Sequence, residues 1–240
     1  MTLVNQRNTK PNTGVFINVL GLIGSGKSAL TSALKQVIEE ETGNCRAIFE
    51  PASKTNPYLA DYYANPARWG FTIQVFLLNR RLEQARLAQS ICLAGENCVG
   101  DSSIFSDSVF VSMLEKTGTI DRRDADTYFE LFQNMSRDLM YPTAVLYLDV
   151  PVEVSLARIT KRMGEKEGRR CESGIDPDYL RGLQVEYEQL LTGLQRYTHV
   201  LRVDWSEDKT PDQIQASARK LYHDVLAIRD IEPIRCFIGL

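Results

Sequence analysis

Apolar residues fall into short, dense runs along the chain, separated by longer stretches in which they recur every three or four positions. Val15, Phe16, Ile17, Asn18, Val19 and Leu20 form an apolar, β-branched run suited to a strand buried on both faces of a parallel sheet. Comparable runs predict strands over 14–20, 45–50, 97–101, 144–150 and 198–204. Helical spacing predicts helices over 27–42, 67–95, 103–117, 122–141, 152–164, 177–197 and 211–229. Strands alternating with helices specify an α/β fold, a five-stranded parallel sheet flanked by helices.

In such a sheet, ligands bind outside the carboxyl ends of the strands, so strand-end residues become candidates. Glu50, Asp101, Asp149 and Asp204 qualify, and each fits a helix-cap or turn role as well. The first strand–helix junction carries a sharper signal. Gly21, Leu22, Ile23, Gly24, Ser25, Gly26, Lys27 and Ser28 fit the phosphate-loop pattern G-x-x-x-x-G-K-[ST]. Glycines let the backbone turn around an anion with its N–H groups inward, Lys27 adds a mobile positive charge, and the Ser28 hydroxyl suits Mg²⁺.

The 240 residues suit one well-buried domain, expected over 13–231, with a polar N-terminal tail at 1–12 and a C-terminal tail at 232–240. A net charge of -3 gives no basic footprint, so a small phosphorylated ligand is favoured over nucleic acid. The cysteines at 45, 92, 98, 171 and 236 form no C-x-x-C pair, which argues against a disulfide framework or zinc site and for reduced thiols in the cytoplasm. No run of about 18 apolar residues suggests a membrane span.

Further motifs lie between these elements. Glu50-Pro51 ends the second strand, NPYLADYYANPARWGFTIQ spans 56–74, DSSIFSD spans 101–107, and a basic helix carries Arg158 and Arg162. With the phosphate loop, these stretches resemble the deoxynucleoside kinase family, in particular its bacterial-type deoxyadenosine/deoxyguanosine kinase branch, over most of residues 14–210. The resemblance implies a P-loop kinase fold with an arginine-bearing lid. It also implies ATP- and Mg²⁺-dependent phosphorylation of a deoxynucleoside 5′-OH, a purine being preferred and deoxyadenosine first.

The same resemblance assigns roles. Glu50 corresponds to the general base, and Lys27, Arg158, Arg162 and Arg169 to the cations around the transferring phosphoryl group. Tyr63 and Glu172 correspond to the pair at the 3′-OH; Gln74, Arg81, Asp107 and Phe110 belong to the nucleoside site. Ser28 and Asp101 correspond to the magnesium-holding groups, with Asp149 the rival acid. Glu207 and Asp208, in DWSEDK (204–209), match the loop beside the donor adenine, where Lys209 replaces a usual aromatic and implies looser donor selectivity. Trp69 and Phe71 suit packing, and a plain amphipathic helix explains Arg80 and Arg81 as well. Family members pair through helices equivalent to those near 71–94 and 122–141, which implies a homodimer and allows a higher assembly through the tails.

Two departures stand out. Ser102 lies where the family places an arginine that reaches the phosphoryl group, a kind of contact worth about 10³–10⁵ in rate. GEKEG, 164–168, looks like additional sequence between the basic helix and Arg169-Arg170, whose charges also fit a surface interleaved with Glu165 and Glu167. Ser102 motivates an alternative, a non-catalytic nucleotide-binding subunit, and the shared phosphate loop leaves a nucleoside monophosphate kinase as another.

Overall fold

The computed structural model describes residues 13–49, 56–164 and 174–230. Its sheet contains β1 (Phe16–Gly21), β2 (Arg46–Ile48), β3 (Cys98–Asp101), β4 (Ala144–Asp149) and β5 (His199–Asp204). All pairings are parallel, in the order β2-β3-β1-β4-β5. Every residue of β1 is buried, as a nearly continuous apolar run requires at the centre of a sheet covered on both sides.

The helices are α1 (Lys27–Thr42), α2 (Leu59–Ala64), α3 (Pro66–Leu93), α4 (Asp107–Lys116), α5 (Arg122–Ser136), α6 (Val152–Met163), α7 (Pro177–Leu194) and α8 (Pro211–Ile228). Side chains alternate across the sheet. Ile17, Val19, Leu146 and Leu148 join a core with α1 and α8, whereas Leu20, Val145 and Tyr147 join the core formed with α3 to α7. Helix starts follow local chemistry: Asn65, Asp121, Asp176 and Thr210 each accept a backbone N–H three residues on, and proline opens α3, α7 and α8.

The structure corrects several expected boundaries. Residues 103–117 are not one helix: Ser103 and Ser106 form a capping box around a 3₁₀ turn, Ile104–Ser106, before α4 begins. The helix expected over 122–141 stops at Ser136; the Met140 N–H instead donates to Gln89 Oε1, and Pro142 disfavours helical geometry before it. The six-residue α2 contains no buried residue and escapes a search for periodic burial.

Candidate active site at the carboxyl edge of the sheet

The phosphate loop joins β1 to α1, and its glycines are needed for different reasons. Gly24 and Gly26 have φ of 81° and 94°, in the left-handed region. A Cβ on Gly24 would lie 2.7 Å from the Ser155 carbonyl oxygen, so α6 packs directly on the loop. One on Gly26 would lie 3.0 Å from Trp205 Nε1. Lys27 Nζ donates to the carbonyls of Gly21 (3.0 Å) and Leu22 (2.9 Å).

Ser28, in the first turn of α1, donates through Oγ to Asp101 Oδ2 at 2.5 Å. Asp101 ends β3 beside β1, where the strand order puts the crevice of the sheet. A hydroxyl and a carboxylate brought together at the mouth of an anion-binding loop are hard oxygen donors, and they fit Mg²⁺, which takes few protein ligands and completes its shell with phosphates and water. Asp149 ends β4, on the other side of β1 from Asp101, and its side chain faces Arg202 on β5 at 3.8 Å.

A cleft of about 510 Å³ opens over this edge. Lys27, Ser28, Asp101, Arg81, Phe110 and Arg162 line it, together with Ser102 and Arg158. Toward its inner end, Arg81 on α3 forms a buried ion pair with Asp107 at the start of α4, and its guanidinium lies 5.8 Å from the centre of the Phe110 ring. Tyr128 on α5 donates to Asp107 Oδ2 at 2.6 Å. Gln74 is 5% exposed on the same helix as Arg81, and its Oε1 has no hydrogen-bond partner among the described residues. Tyr63 packs on Tyr62, with ring centres 5.3 Å apart.

At the opposite end, the Trp205–Asp208 loop follows β5. Arg158 on α6 donates to the carbonyls of Trp205 (3.1 Å) and Glu207 (3.0 Å), and pairs with Asp208 at 3.0 Å. Lys209 Nζ lies 5.1 Å from the centre of the Trp205 ring. Glu207 and Asp208 are thus tied to the helix carrying Arg162, four residues beyond Arg158.

Glu50, Arg169 and Glu172 lie outside the described residues, as do Arg170 and most of GEKEG. Just before Glu50, the Phe49 carbonyl accepts a 2.6 Å bond from Gln84 Nε2, which ties this chain segment to α3. Sequence reasoning missed Tyr128, Trp205 and Tyr187, the last of which lines the cleft from α7. Only DWSEDK pointed toward Trp205; Tyr128 and Tyr187 lie in ordinary amphipathic patterns with no distinguishing signal.

A parallel sheet in this order, with a phosphate loop leaving its central strand and a strand-end acid facing the loop serine, defines a P-loop kinase fold. The family model described as deoxynucleoside kinase matches residues 17–225. Deoxyadenosine kinase of Dictyostelium discoideum is 37% identical over 92% of this chain and 84% of its own length. Deoxyadenosine/deoxycytidine kinase of Bacillus subtilis is 31% identical over 74% of this chain and 77% of its own. The solved structure of deoxyadenosine kinase from M. mycoides, with dCMP and a flexible dCDP bound, covers 89% of this chain and 100% of that one with a TM-score of 0.72; at 24% identity, that likeness concerns the fold alone. The chain belongs to the deoxynucleoside kinase family and is a phosphotransferase. No helix among the described residues is long and apolar enough to cross a membrane.

Proposed function

We propose that this protein transfers the γ-phosphoryl group of ATP to the 5′-OH of a deoxynucleoside, with purines preferred and deoxyadenosine first. The observation that carries the reading is the cleft itself: phosphate-loop Lys27 and Ser28, strand-end Asp101, and the Arg81–Asp107 pair open onto one continuous space or directly adjoin it. Phosphates would lie on the loop N–H groups, and Lys27 would exchange its bonds to Gly21 and Leu22 for phosphate oxygens. Mg²⁺, when held by Ser28 and Asp101 with the phosphates, supplies charge neutralisation at the transferring group. Glu50 takes the 5′-OH proton as that oxygen forms the new P–O bond and ADP leaves with the old one.

The acceptor base belongs beside Gln74, whose amide offers a donor and an acceptor, with Arg81 and Asp107 fixing its edge and Phe110 its face. Tyr63 and Glu172 take the 3′-OH and select deoxyribose. At the donor end, Arg158 fixes the loop containing Glu207 and Asp208, while Arg162 and Arg169 supply the charge absent at Ser102. We infer one kinase domain over 13–231 working in the cytoplasm as a homodimer paired through α3 and α5, with the tails available for higher assembly.

The test is competition among the four deoxynucleosides with Mg²⁺-ATP, followed by monophosphate formation. Dominant deoxyadenosine phosphorylation supports the reading. Dominant pyrimidine phosphorylation overturns the purine preference, and phosphorylation of deoxynucleoside monophosphates alone replaces the assignment with a monophosphate kinase.

A further inference from the structure

Three uncommon features meet beneath the metal-side acid. Asn18 is a polar residue on the central strand, only 3% exposed. Its cross-strand neighbour on β3 is Gly100, where a Cβ would lie 2.4 Å from Asn18 Nδ2. Two positions on, Ser102 has φ of 81°, the one non-glycine residue with positive φ among the described residues. The glycine makes room for the Asn18 amide, which donates to the Ser102 carbonyl at 2.9 Å, while the Ser102 N–H donates to the Val19 carbonyl at 3.1 Å. Ser102 is therefore gripped on both backbone groups by consecutive residues of β1.

That grip has a consequence for Asp101, the residue between Gly100 and the clamped Ser102. A side chain other than glycine visits the left-handed region at a cost, and such a conformation persists only where its surroundings enforce it. Here the enforced turn ends β3 immediately after Asp101 and presents its carboxylate to Ser28. We propose that Asn18 is a positioning residue: by clamping the Ser102 carbonyl it sets the exit angle of β3 and holds Asp101 on the phosphate-loop serine. Asn18 touches no reacting atom and acts only through this turn.

The inference rests on the kinase reading for its catalytic consequence, and on the Ser28–Asp101 pair alone for its binding consequence. The test is a double-mutant cycle of Asn18→Ala and Ser102→Gly, all four proteins first checked for cooperative thermal unfolding. Glycine adopts positive φ unaided, so Asn18→Ala matters less in the Ser102→Gly background. With serine at 102, the change lowers kcat about tenfold to a hundredfold, as loss of sub-ångström positioning does, and leaves deoxynucleoside KM unchanged. With glycine at 102 the same change costs less than about threefold, a coupling visible only if the two residues act through one device.

Calorimetric ATP titrations with and without Mg²⁺ give the second readout, in which Asn18→Ala narrows the gain in affinity that Mg²⁺ confers. Equal losses in both backgrounds, an unchanged kcat in folded Asn18→Ala, or an unchanged Mg²⁺ gain overturns the clamp. If the parent protein phosphorylates no deoxynucleoside, the kinase reading fails, and the calorimetric comparison still decides the role of Asn18.

Discussion

Tyr128 donates its hydroxyl to Asp107 at 2.6 Å, although the two lie on different helices and neither exposes any of its surface. The bond makes Asp107 a shared acceptor: one oxygen accepts the Tyr128 hydroxyl hydrogen bond and the other faces Arg81. The buried acid thereby orients Arg81, which lines the cleft. Tyr128→Phe keeps the ring and deletes the donor. It should cost about 1–3 kcal/mol in denaturant unfolding and raise the acceptor KM more than it lowers kcat. Removing the cation is harsher: Arg81→Ala leaves Asp107 buried without its counter-charge and should cost about 3–5 kcal/mol in the same measurement.

Gly26→Ala tests the loop. The left-handed backbone at this position costs an L-residue about 1–2 kcal/mol, and the added methyl meets the Trp205 indole at 3.0 Å. ATP affinity, read by calorimetry, should fall while the affinity for the deoxynucleoside alone stays within about twofold.

Ser28→Ala removes one of the two groups assigned to Mg²⁺. Turnover should fall roughly 10²-fold or more, with the remaining activity requiring higher Mg²⁺, and chelation should abolish turnover in the parent protein. Unchanged Mg²⁺ dependence would remove Ser28 from that role.

Alkaline stability follows from buried phenols. Burial raises the pKa of Tyr128, Tyr147 and Tyr179 above the ordinary value near 10. In the unfolded chain these groups ionise at about pH 10 while in the folded protein they keep their protons, so the unfolded state binds fewer protons above that pH. Stability should therefore be constant in this respect below pH 10 and fall as pH rises beyond it. Tyr147→Phe should flatten that fall in a denaturation series across alkaline pH.

The elements with strong local signals were the legible ones. The start of α1 at Lys27, after a glycine-rich turn, and the five parallel strands follow from periodicity and turn chemistry. Asp101 needed more than its place at a strand end, because four strand-end acids looked alike; the DxSIFxD resemblance favoured it, and the 2.5 Å contact brings it onto Ser28. Tyr128 stayed hidden because its partner is 21 positions away and its own helix reads as an ordinary amphipathic face. The Asn18 clamp was equally invisible, since it depends on strand register, which sets Asn18 opposite Gly100, and on a backbone angle at Ser102 that no local pattern specifies. The 3₁₀ turn before α4 shows the same limit: serines at 103 and 106 interrupt a stretch whose apolar spacing continues straight through.

The most direct measurement is product stoichiometry with the purified protein, Mg²⁺-ATP and deoxyadenosine, counting ADP against deoxyadenosine 5′-monophosphate. A phosphotransferase with an assembled site should give one monophosphate per ADP and little ATP cleavage without acceptor. Tight ATP binding with no monophosphate formed from any deoxynucleoside would contradict the account and make this chain a nucleotide-binding protein that has lost its chemistry.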